Sequence, residues 1–175
     1  MVGKLINMER LIEMGWGILD IEKPEFEKIG DMMMKFFVMS EEGYDIVFVP
    51  QRWVSNDTDA KAALAASVRE MVVKQNALAV GVLSDVWLGW LNWQDRELVD
   101  VVNRRGTAWA EKEGLLKRRE ALMYNIVTPI QTVQLNWFYK REGEKITFEE
   151  KQQMNPQQGI GRFAEFFPPQ KSATA

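Results

Sequence analysis

The chain has 175 residues, 46% of them hydrophobic and 27% charged, with a formal net charge of −3. That is the size and make-up of a single folded domain, long enough to bury a core without staples or metals. It contains neither cysteine nor histidine, which excludes disulfides, zinc sites built on thiolate or imidazole, and Ser-His or Cys-His nucleophile pairs.

Residues 4 to about 19 place Leu5, Met8, Leu11, Ile12 and Leu19 at helical spacing, and Gly15–Gly17 reads as the end of that helix. Pro24 suits the first turn of a second, short helix over Glu25–Ile29. The apolar, aromatic run 32–40 and the β-forming Tyr44–Pro50 flank the turn Glu41-Glu42-Gly43, and together predict a hairpin. Pro50 to Asp57 reads as a loop, with Asp57 or Thr58 capping a helix over 59–75. That helix puts Ala60, Leu64, Val68, Met71 and Val72 on one face, and Asn76 is its stop.

A buried-type strand begins near Ala77 and continues through Ser84-Asp85-Val86-Trp87-Leu88. The charged stretch 92–117 predicts one or two surface helices inserted between strands. A central strand over 119–128 follows, then an alternating strand over 132–140 with Val133, Leu135, Trp137 and Tyr139 on one face. Glu142-Gly143-Glu144 predicts a turn into a short edge strand at Ile146–Phe148. Gly159–Phe167 reads as a terminal helix that docks Phe163, Phe166 and Phe167, with a disordered tail over 168–175. The whole is an α+β domain over 1–167. It has a mainly antiparallel sheet of about five to six strands, with helices packed on one side. The helix at 59–75 has room to join parallel neighbours by a crossover.

Three short motifs stand out: Asp59-Ala60-Lys61 opening a helix, Ser84-Asp85-Val86-Trp87 on a strand, and Arg118-Arg119-Glu120 opening the next strand. With the preceding hairpin, the segment Met34–Glu120 resembles a family of small uncharacterised proteins from bacteria and their phages. The family pattern carries Ser-Glu-Ala-Trp where this chain has Asp85, one methylene shorter, and the 92–117 stretch is longer here. The resemblance implies the element order and a bacterial or phage setting. It implies no activity.

The residues that invite a functional reading fall in a few groups. Asp85, Arg119 and Glu120 would meet if their strands pair antiparallel, with a charge-assisted Asp85–Arg119 pair beside Trp87. A salt bridge closing the insertion is the plainer explanation. Trp87, Trp90 and Trp93 recur every third residue, which fits neither a strand nor a wide helical face. They read either as an aromatic patch for a partner or as a cap on the core, with Trp87 expected in the core. Arg104, Arg105 and the Lys117-Arg118-Arg119 run flank Trp109, as a single-stranded nucleic-acid site would require. Interleaved Asp95, Glu97, Asp100, Glu111 and Glu113 point instead to a solvated face. The Val133–Tyr139 face lacks the basic rim of an RNA-binding sheet, and Met32, Met33, Met34 and Met39 read as core filler.

These residues predict a non-catalytic interaction module; the resemblance implies a phage or bacterial origin and, by analogy with phage proteins of this size, action on host machinery. Its partner, a protein or a second copy, is expected to bind through residues 87–118. Against it stand a carboxylate- and metal-dependent hydrolase subunit and a weak single-stranded nucleic-acid binder. No cofactor is expected. The start of the chain lacks a signal-peptide core and no run approaches a membrane span, so the expected location is the cytoplasm, that of the host if phage-encoded.

Overall fold

The structure, a computed structural model, describes residues 7–49, 58–90, 95–155 and 166–167, without the side chains of Thr58, Lys61 and Trp90. The expected loop Pro50–Asp57, Trp93, most of the expected terminal helix and the 168–175 tail lie outside the described residues.

Helix α1 spans Met8–Ile29. It opens with Asn7, whose side chain accepts the Arg10 N–H at 3.1 Å. It closes at Gly30, whose φ of 75° suits glycine and whose N–H donates to the Phe26 carbonyl. The expected break at Gly15–Gly17 does not occur, because packing compensates for glycine's low helix propensity. A Cβ at Gly15 would sit 2.7 Å from Leu135 Cδ1 and 2.9 Å from Tyr124 Cδ1, so the bare glycine is what lets the helix lie on the sheet. Nor does Pro24 start a new helix. It sits inside α1 on the exposed flank, as does Asp20 one turn earlier, so the carbonyl left without a donor faces water.

Six antiparallel strands form one open sheet in the order β2-β1-β3-β4-β5-β6. Strands β1 (Lys35–Met39) and β2 (Tyr44–Phe48) are the expected hairpin. Helix α2 (Thr58–Lys74) follows, and Asn76 ends it in the left-handed region at φ 49°. Strand β3 (Ala79–Trp90) pairs with β1 and with β4 (Lys117–Val127). Strands β5 (Thr132–Glu142) and β6 (Lys145–Met154) complete the sheet. Strand β6 runs ten residues, well past the expected Ile146–Phe148. Its outer half, Glu-Glu-Lys-Gln-Gln-Met, carries no apolar alternation, because an edge strand with a solvated face does not need one. Strands β2 and β3 flank β1 and run parallel to each other, so α2 joins parallel strands that are not neighbours.

The helices cover both faces of the sheet rather than one. Leu19 and Phe26 of α1 pack on Phe37, Leu83, Leu122, Tyr124, Leu135 and their neighbours. Leu64, Val68 and Val72 of α2 pack on Phe36, Val38, Val80 and Val82 on the opposite face. The cause lies in the strands: Phe36-Phe37-Val38-Met39 and Val82-Leu83 are apolar without alternation, so each face needs its own cover. Phe166 joins the α2 side, edge-on to Phe36 at 5.7 Å.

The 92–117 insertion contains two helices, α3 (Arg96–Arg105) and α4 (Thr107–Lys112). Asp95 caps α3 by accepting the Leu98 N–H. Val102, Ala110 and Leu116 form a small apolar cluster separate from the two main ones, with Leu98 and Trp109 against it. Leu116 lies across Gly89, where an added Cβ would be 3.0 Å from Leu116 Cδ1. Among the described residues, no helix is long and apolar enough to cross a membrane.

Candidate functional site

Strand β1 begins at Lys35, opposite Leu83, so β3 has no β1 partner beyond that point while still pairing with β4. The β3 residues past Leu83 therefore lie where the sheet narrows and α1 gives way to Gly30. Strand alternation sorts them. Asp85 and Trp87 point to the α1 side, and Ser84, Val86 and Leu88 point to the other.

Register then decides which expected contacts exist. Asp85 stands opposite Leu122, and Trp87 opposite Glu120, which in turn stands opposite Tyr139. Arg119 stands opposite Leu88, so its side chain leaves the other face of the sheet. The expected Asp85–Arg119 pair is therefore absent, because the two side chains differ in parity. Arg119 instead lies over the Phe138 ring at 3.9 Å and pairs with Glu149, at 2.9 Å, and Glu150. Those hydrogen bonds outweigh partial burial and raise its pKa. Glu149, held first by Lys140 and then by Arg119, is lowered.

Asp85 finds a different donor. The Tyr139 hydroxyl donates to Asp85 Oδ1 at 2.6 Å and lies 3.4 Å from Glu120 Oε1. Arg141, two residues along β5, approaches Glu120 at 3.6 Å and donates to the Gly30 carbonyl at 2.9 Å. Burial raises the Asp85 carboxyl above its ordinary range; the Tyr139 hydrogen bond and Arg141 oppose this, while Glu120 and Asp31 add to it. Burial and the bond to Asp85 raise Tyr139 as well. The sequence presents Tyr139 only as part of the Val133–Tyr139 face, not as a partner for Asp85, and Arg141 does not stand out because it lies past the alternating run 132–140. The network is closed: it ties β3, β4, β5 and the end of α1 together, and its hydroxyl is already committed to Asp85. It has the form of a structural strut.

Trp87 is 59% exposed, contrary to its expected place in the core. The core packed against α1 extends along β3 as far as Leu83, and Trp87 lies beyond it. Arg118 stands over its ring at 5.5 Å and also pairs with Glu111 of α4 at 3.1 Å. Trp90 ends β3, and Trp93 lies outside the described residues.

The basic candidates do not gather into a binding stripe. Arg104 donates to the Asp100 carbonyl of its own helix, and Arg105 stacks over Trp109 at 4.8 Å. Trp109 is turned into the small cluster of the insertion. The Val133–Tyr139 face is buried under α1, as expected. Of the methionines, Met39 is buried and Met32 and Met34 pack on the core, while Met33 is half exposed. Met33 borders a cleft of about 520 Å³ at the end of α1, lined also by Glu22, Glu25, Ile29, Asp31 and Phe48. Lys35 enters that cleft but is held by both Glu22 oxygens, at 2.5 and 2.6 Å. Among the described residues, no group of three or more acidic side chains is placed to hold a metal ion.

Comparison with known proteins returns no match to a family model, a curated protein or a solved structure.

Proposed function

We propose that the protein is a non-catalytic interaction module that engages a partner protein through residues 87–118. The observation that carries this reading is the exposed indole of Trp87 on a sheet face. Burying an aromatic of that size is among the strongest anchors an interface can use. Arg118 beside it adds a guanidinium able to stack and to pair with a partner's carboxylate. The helical pair α3–α4 supports the same reading. It stands on the ends of β3 and β4 with its own small cluster, so it can present a surface without disturbing the main core.

The chemistry of the chain favours presentation over catalysis. Imidazole and thiol are missing from the sequence, and the half-buried carboxylate Asp85 is held by Tyr139 in a closed network. The bacterial or phage setting and action on host machinery rest on the motif resemblance.

The test is capture from bacterial lysate with the wild-type chain and with Trp87→Ala, each checked for an unchanged thermal midpoint. Loss of one or more specific partners from the variant supports the reading. Recovery of the same proteins by both forms, or of none by either, refutes it.

A further inference from the structure

The sheet has two outer strands, and they are built differently. Strand β6 carries Lys145, Glu149, Glu150 and Lys151, and its pairing with β5 is broken by a bulge between Trp137 and Tyr139. Charge and bulge are the devices that keep a free edge from pairing with another chain. Strand β2, Tyr-Asp-Ile-Val-Phe, has neither lysine nor proline, and Asp45 is its single charge.

Hydrogen-bond parity shows which β2 groups are free to pair. Val49 N–H donates to Met34 and Ser40 N–H to Gly43, so the residues of β2 in phase with these, Asp45 and Val47, turn their backbone groups toward β1. Tyr44, Ile46 and Phe48 turn theirs outward. The same three side chains lie on the α1 side of the sheet, where the core packed against α1 takes in Phe37 and Met39 of β1 but none of these three. They are 56%, 42% and 58% exposed. Among the described residues, edge and face are thus open together on one apolar strand.

We infer that β2 is a self-pairing edge, and that two copies of the chain join antiparallel through it into a continuous sheet. The sequence of β2 is self-complementary about Ile46. A two-fold axis there sets Ile46 against Ile46 of the second copy and Tyr44 against Phe48, all at outward-bonding positions. Aromatic rings then face each other across the junction, a favoured cross-strand pair. The same register sets Asp45 against Val47, so the one charge on each strand does not meet its like. Gln75 also holds the Asp45 carboxylate on the far face. Pairing brings Tyr44 of the second copy over Phe48, closing one side of the cleft formed with Ile29 and Met33. An isologous contact of this kind closes as a dimer and cannot propagate through the guarded β6 edge. It is separate from the Trp87 surface and stands whether or not that surface binds a partner.

The absence of cysteine makes the test direct. Sedimentation over a concentration series is expected to show a monomer–dimer equilibrium, and Ile46→Lys to weaken it by about tenfold or more. In the dimer the two residues 46 stand about 5.5 Å apart at Cα. Ile46→Cys is therefore expected to be joined by a short bis-maleimide, and Gln152→Cys on β6 to be left unlinked. Folding of each variant is checked by circular dichroism, and the cysteine pair decides the matter if Ile46→Lys does not fold. A chain that stays monomeric at every concentration overturns the inference. So does a dimer that survives Ile46→Lys and is not captured at position 46.

Discussion

Tyr124 is gripped between Gly15 of α1 and Gly81 of β3, and its hydroxyl is buried with no hydrogen-bond partner among the described residues. Replacing it with phenylalanine removes a group that lost its water on folding and gained nothing in return. An unsatisfied buried hydroxyl costs about 1–3 kcal/mol. The space left by one oxygen costs back a few tenths, at about 24 cal/mol per Å³ of cavity. Tyr124→Phe is therefore expected to stabilise the fold by about 1–2 kcal/mol, raising Tm by roughly 3–6 °C for a chain of this length. A partner experiment uses the contact below. A Cβ added at Gly81 would overlap Tyr124 Oη and Cζ, so Gly81→Ala is expected to cost about 1–3 kcal/mol by overpacking. In the Tyr124→Phe background the clash with oxygen is gone and that with the ring remains, so the cost falls by about 0.5–1 kcal/mol without vanishing. Urea denaturation followed by tryptophan fluorescence measures all four chains. A Tyr124→Phe variant less stable than wild type by 1 kcal/mol would refute the reasoning, because the hydroxyl would then have a partner worth keeping. Equal costs of Gly81→Ala in both backgrounds would refute the proposed contact.

The Asp85 carboxyl is raised in the folded chain from an ordinary value of 3.8, so the folded state holds that proton more tightly than the unfolded one. Its contribution to stability is complete at pH below 3.8 and is lost as pH rises through the folded value. Asp85→Asn, which keeps an acceptor for Tyr139, is expected to match wild type in acid and exceed it at neutral pH. A stability difference that does not change with pH would contradict this. Phe26 is 1% exposed and meets Tyr139 edge-on at 5.0 Å, so Phe26→Ala is expected to cost about 3–5 kcal/mol in a urea titration. A loss under 1 kcal/mol would mean that α1 does not dock as described. Trp87→Ala, which truncates an exposed ring, is expected to leave stability within about 0.5 kcal/mol of wild type while removing partner capture. A large drop in Tm would place the ring in the core instead.

Local chemistry made much of the architecture legible. The hairpin Lys35–Phe48, the helix Thr58–Lys74 and the alternation of Val133, Leu135, Trp137 and Tyr139 follow from turn residues and periodicity, which are properties of neighbours along the chain. The helical insertion announced itself by its charge. Misreadings came where a distant surface overrode a local preference. Gly15 and Pro24 break isolated helices, yet α1 runs through both because Tyr124 and Leu135 accept the bare glycine and water serves the exposed flank.

By itself the sequence determined the fold class, the order of the six described strands and the lack of imidazole and thiol side chains. Pairing register and strand ends belonged to the tertiary structure. They turned Asp85 toward Tyr139 and away from Arg119, and they left Trp87 exposed on β3 beyond the α1-side core. They also left Tyr44, Ile46 and Phe48 open on an outer strand. A shift of one residue in pairing moves every side chain to the other face. No short-range pattern encodes that choice, because it is made by the fit of residues far apart in the chain.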